Sequence, residues 1–79
     1  MSTPSNTETA RQRFARNLRT YRAARGLSQQ HLAEQADLSR VYISKVENSA
    51  ASISIDTMEK LATVLAIDIA ELLSACDTS

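Results

Sequence analysis

Apolar residues recur along this chain in five short runs at helical spacing, and each run is bounded by residues that begin or end helices. Between Ala10 and Arg25 there is no Gly, no Pro and one β-branched residue, Thr20. Phe14, Leu18 and Tyr21 fall on one stripe, which Ala24 or the stem of Arg25 extends. Ser5 or Thr7 can cap this first helix, Ser5 standing at capping-box distance from Glu8, and Gly26 ends it in the left-handed conformation. Ser28 caps a second helix, Gln29 to Ala36, with Leu32, Ala33 and Ala36 inward. Asp37 and Leu38 make a tight turn, and Ser39 caps a third helix, Arg40 to Asn48. In it Ile43 and Val46 share one face while Arg40, Val41, Ser44 and Lys45 share another. Residues 49 to 53 have no period and read as a loop. Ser54 caps a fourth helix with the stripe Ile55, Met58, Leu61, Ala62 and Leu65, and Asp68 with Glu71 caps a short fifth, Ile69 to about Ala75. No run alternates as a strand does.

The expected fold is therefore all-α, a compact five-helix domain. Residues 1 to 6, small and polar with Pro4, read as a disordered tail, leaving 7 to 76 as the domain. With 79 residues, two Tyr, one Phe and no Trp, the core must be built from Leu, Ile, Val and Ala, and a domain this small is marginal enough for oligomerisation to help. The single Cys76 permits no disulfide within the chain, MSTPSNT lacks the features of a signal peptide, and the apolar stretch Leu61 to Ile67 is too short to span a bilayer. A cytoplasmic protein with no membrane partner is expected.

Formal net charge is zero, which does not advertise an anionic partner, but the average hides a division. Up to residue 45 there are eight basic residues against three acidic, a balance of +5; beyond it there is one against six, a balance of −5.

The second and third helices are the most informative pair. Two helices meeting steeply across a short turn need apolar residues at the joint and a small residue where they nearly touch. Leu32, Ala36, Leu38, Ile43 and Val46 supply the first, and Ala33 the second. Gly would be usual at the turn; Asp37 tolerates the left-handed conformation better than most residues. Taken in order, Leu18-Arg19-x-x-Arg22, Gly26-Leu27-Ser28-Gln29, Leu32-Ala33-Glu34, Leu38-Ser39, Tyr42-Ile43-Ser44-Lys45-Val46-Glu47, Ile55-Asp56-Thr57-Met58 and Leu65 through Glu71-Leu72 resemble the XRE-type helix-turn-helix DNA-binding family of phage Cro and the lambdoid repressors. The run from Asp37 to Asn48 is most similar to the controller proteins of restriction-modification systems.

The resemblance implies a lambda-repressor-like domain that binds double-stranded operator DNA as a homodimer, with the third helix in the major groove. It implies base contacts from Arg40, Val41, Ser44 and Lys45, and phosphate contacts from Gln29, Ser39, Tyr42 and Asn48. On an arbitrary helix Arg40 and Lys45 would be solvated charges, Gln29 a surface residue and Tyr42 a buried one. It further implies a structural ion pair between Arg22 and Glu47, the other arginines of the first helix being solvent-facing charge. The dimer contact would use Ile67, Ile69, Leu72 and Leu73, the competing reading being that all four are core. Glu34 matches a position through which some members touch RNA polymerase. Ala50 and Ala51 stand where basic residues are common, so fewer phosphate contacts and a modest salt dependence are expected.

Catalysis has little support. One His and one Cys barely offer a metal site, one Gly cannot make a phosphate-cradling loop, and His31 and Cys76 read as bland surface groups. No cofactor, metal or enzymatic activity is expected. The alternative from another class is an antitoxin or similar interaction module that neutralises a partner protein.

Overall fold

The computed structural model describes residues 8–75, and among them all regular structure is helical: α1 (Ala10–Ala24), α2 (Gln29–Ala36), α3 (Arg40–Glu47), α4 (Ile55–Leu65) and α5 (Ile69–Leu72). The proposed tail at 1–6, the caps Ser5 and Thr7, and Cys76 lie outside the described residues.

Each helix starts on a side chain that accepts a backbone N–H the helix itself cannot satisfy. Ser28, Ser39, Ser54 and Asp68 do so at the positions expected from sequence. For α1 the cap is Thr9. It forms a reciprocal box with Gln12, and Glu8 is thereby freed to bind the Arg16 guanidinium at 2.8 Å. Arg16 holds the Glu8 carboxyl below its usual range, first through this hydrogen bond and then through its charge. The fifth helix is shorter than expected, stopping at Leu72.

Four helices end alike. A residue with positive φ follows α1, α2, α3 and α4, and the next N–H reaches back to a carbonyl five residues earlier: Leu27 to Arg22, Leu38 to Ala33, Ala50 to Lys45 and Ile67 to Ala62. Only the first of these left-handed positions is Gly26; the others are Asp37, Ser49 and Ala66, with φ of 60°, 62° and 58°. Alanine gains nothing from a local hydrogen bond to offset the clash of its Cβ there. Ala66→Gly is therefore expected to stabilise the fold by about 1 kcal/mol, raising Tm by about 4–8 °C in thermal melts of a domain this size. An unchanged or lower Tm would show that the strain is relieved elsewhere.

α2 packs on α3 and α4, α1 on α3 and α5, and α4 on α5. The core between them is Phe14, Leu18, Leu32, Ala33, Ala36, Ile43, Val46, Leu61, Ala62, Leu65 and Leu72. Ala33 is fully buried where α2 meets α3, and the joint residue Leu38 packs against the core from its edge. Ile55, expected on the inward stripe of α4, is instead 65% exposed, because the stripe turns inward only from Met58 onward.

Candidate nucleic-acid interface

The third helix has two unlike faces. Ser39 accepts the Tyr42 N–H at 3.0 Å and sets the start of α3 so that Ile43 and Val46 sink into the core. Arg40 and Lys45 then stand exposed, Ser44 half-buried and Val41 56% exposed. Among the described residues neither the Arg40 guanidinium nor the Lys45 ammonium has a partner in the chain. The four residues expected to read bases thus share a face on which two unpaired cations flank an exposed apolar side chain.

The base of α3 is anchored through Glu47, which is 1% exposed. Arg22 of α1 donates to it through Nε at 2.6 Å and Nη2 at 3.0 Å, while its Nη1 binds the Leu27 carbonyl at 2.9 Å. The expected pair is therefore brought together, and it gains a member: Gln29 Nε2 at the start of α2 donates to Glu47 Oε1 at 3.0 Å. One buried carboxylate holds α1, α2 and α3 in register.

Of the other residues expected at phosphates, Ser39 is spent in part as the cap. Asn48 donates to the Ser44 carbonyl at 2.9 Å, which leaves its second N–H free. The Tyr42 hydroxyl donates its only proton to the Ser52 carbonyl at 3.0 Å, fastening the loop after α3. In this arrangement the Tyr42 hydroxyl has no second proton to give a phosphate.

The arginines on and just after α1 do more than face solvent, although Arg19 and Arg25 stand exposed as expected. Arg19 donates to the carbonyl of Glu47, which closes α3, Arg25 to that of Leu65, which closes α4, and Arg13 to that of Leu73 just past α5. Buried Asn17 completes the set. Its amide nitrogen donates to the carbonyls of Leu72 and Ser74, both at 2.9 Å, and its oxygen accepts from Arg16. The side chains of α1 thus cap the C-terminal ends of three other helices, where the last carbonyls lack partners and the dipole is negative. Sequence offers no signal for this, since every residue in a chain carries a carbonyl. Tyr21 joins the same side, and the hydrogen bond it donates to Glu71 at 2.7 Å pushes its phenol above the ordinary value.

The residues expected at a dimer contact do not stay together. Leu72 is fully buried in the chain's own core, because α5 is anchored through it, and it offers no surface to a second copy. Leu73 lines a groove of about 200 Å³ with Phe14, Ile53 and Met58. Ile67 and Ile69 share a different groove with exposed Ile55, rimmed by Glu59 and Asp68. No group of His, Cys, Asp and Glu that could hold a metal occurs among the described residues, and none of their helices is long and apolar enough to cross a membrane.

The helix-turn-helix family model HTH_3 matches residues 18–72, from the first helix through the last. This chain belongs to the XRE-type helix-turn-helix family. The family member is 38% identical over 60 residues to a hypothetical transcription factor of Neisseria meningitidis, an alignment covering 76% of this chain and 57% of that protein, so it spans little more than half of that relative. The crystal structure of the hypothetical transcription factor NHTF from Neisseria superposes over 94% of this chain and 85% of that one, with a TM-score of 0.83 at 32% identity. The restriction-modification controller protein C.AhdI of Aeromonas hydrophila is 40% identical over 78% of this chain and 90% of its own, with a TM-score of 0.76. SinR, a master regulator for biofilm formation solved in complex with DNA, is 31% identical over 77% of this chain and 98% of its own, with a TM-score of 0.74. The XRE-type chain is thus a helix-turn-helix DNA-binding regulator close to restriction-modification controller proteins, and its relatives point away from an enzymatic role.

Proposed function

We propose that this regulator binds a pseudo-palindromic operator as a homodimer in the cytoplasm, with α3 in the major groove, and controls the genes of a restriction-modification system. The face of α3 carries the reading. Arg40 sits at its first turn with a free guanidinium able to hold a guanine O6 and N7 together, Val41 beside it suits a thymine methyl, and Lys45 lies one turn on. Gln29, Ser39 and Asn48 retain donors for the backbone on either side. Glu34, exposed on α2 and bonded only to Gln30 of its own helix, supports RNA polymerase as a further partner.

Selection from a random duplex pool is expected to return half-sites about one helical turn, or 10 base pairs, apart. Arg40→Ala should keep its melting curve and lose roughly 5- to 150-fold in affinity at one base pair of each half-site, corresponding to about 1–3 kcal/mol. If the pool yields no motif, or the variant keeps full affinity, the regulator does not read DNA through this face.

The dimer is assigned to the groove of Ile55, Ile67 and Ile69, which in a two-fold contact would meet its own copy. Ile55→Glu should leave a folded monomer in sedimentation equilibrium and abolish binding to paired half-sites. Because Glu59 and Asp68 rim the groove, added salt should tighten the dimer while it weakens DNA binding. A variant that remains dimeric would place the contact elsewhere.

A further inference from the structure

The amide of Gln29 is bonded to a group that can only accept. Glu47 Oε1 lies 3.0 Å from Gln29 Nε2, and the Glu47 carboxylate is already held through both oxygens by Arg22. An amide side chain can turn over, exchanging its donor end for its acceptor end at almost no cost in shape. Here it cannot, since turning would set two oxygens against each other at a residue with 1% of its surface exposed. A phosphate likewise only accepts. Gln29 Nε2 carries two hydrogens, one spent on Glu47 and one left, whereas a free Gln at the start of α2 would offer oxygen or nitrogen indifferently.

We infer that Glu47 is a positioning residue for DNA binding: it fixes the Gln29 amide in one orientation, with one Nε2 hydrogen on the carboxylate and the other left for a phosphate, in addition to bracing the fold through Arg22. The inference rests on the reading of Gln29 as a phosphate contact and deepens it. The lock passes through one buried carboxylate, so the backbone contact of α2 and the seating of α3, whose last residue is Glu47, are set by the same group. A neutral donor at a phosphate carries no base information and releases no counterion, so its loss should be equal on operator and random duplex, with the salt slope unchanged.

The test is a two-by-two comparison of Gln29→Ala and Glu47→Gln by duplex titration, each protein first shown by circular dichroism to be folded. In the parent background Gln29→Ala should weaken binding roughly tenfold on operator and random duplex alike, the scale of one hydrogen bond to a charged group. In the Glu47→Gln background, where residue 47 can donate as well as accept, the Gln29 side chain loses its fixed rotamer as well as its fixed amide orientation, and the same substitution should cost less than about threefold. If Glu47→Gln does not fold, Glu47→Asp replaces it, keeping the charge for Arg22 while withdrawing the carboxylate from Gln29. An equal tenfold cost in both backgrounds overturns the positioning role, and so does a parent in which Gln29→Ala costs nothing. A parent protein that binds no duplex fails at the first step, and then it is the regulator reading that falls.

Discussion

Arg22→Ala is expected to leave the domain only marginally folded at room temperature. The Glu47 carboxylate is fully buried, and Arg22, whose side chain is 19% exposed, provides two of its three hydrogen bonds; Gln29 alone cannot compensate a charge. Removing one partner of a buried pair typically costs about 3–5 kcal/mol, because the remaining charge keeps its desolvation penalty. Against a total stability of about 4–12 kcal/mol for a chain of this length, and a small core that favours the low end, that is most of the margin. The partial exposure of Arg22 lets some water reach the site and argues for the lower half of the range. Urea unfolding followed by circular dichroism measures it. Replacing both partners, Arg22→Met with Glu47→Met, should recover most of the loss, since apolar groups of similar length carry no penalty when buried. A single variant within 1 kcal/mol of the parent would mean that water solvates the carboxylate after all.

Phe14→Ala should cost a similar amount, about 3–5 kcal/mol, through the lost transfer free energy of the ring and the cavity it leaves. Phe14 is the chain's one Phe, 2% exposed, and it closes the core on the side where the groove of Ile53, Met58 and Leu73 approaches. Met58 is half-buried beside it and flexible enough to lean into the space, which sets the expectation nearer 3 than 5 kcal/mol. Phe14→Leu, which keeps most of the volume, should cost less than about 1.5 kcal/mol. Urea midpoints of the two variants decide it, and equal losses from both would show that ring shape rather than volume is what the core needs.

The ion pair and the core stripe were both anticipated from sequence, yet for different reasons. Phe14, Leu18, Leu32, Ile43 and Leu61 announce themselves by spacing, because burial of one helix face imposes a period on any sequence that folds this way. The Arg22–Glu47 pair has no such period: the two residues lie 25 positions apart and were matched only through the family resemblance. Gln29 was expected at a phosphate, and its tie to Glu47 was not foreseen, since nothing in a Gln at a helix start points to an acceptor 18 residues away.

Sequence alone determined the elements whose causes are local. The Ser caps at 28, 39 and 54 and the left-handed stops at Gly26 and Asp37 depend on partners within a few residues, and so did the opposite faces of α3 that leave Arg40, Val41 and Lys45 outward. Tertiary structure decided which groups are still free once the helices have packed. Arg13, Arg19 and Arg25 spend donors on the ends of α5, α3 and α4, Tyr42 spends its proton on Ser52, Leu72 is sealed inside, and Ile55 is left out in water. The physical reason is that these bonds are made to backbone carbonyls. Such acceptors are the same at every residue, so only the packing of helix ends against α1 determines which of them a given side chain finds.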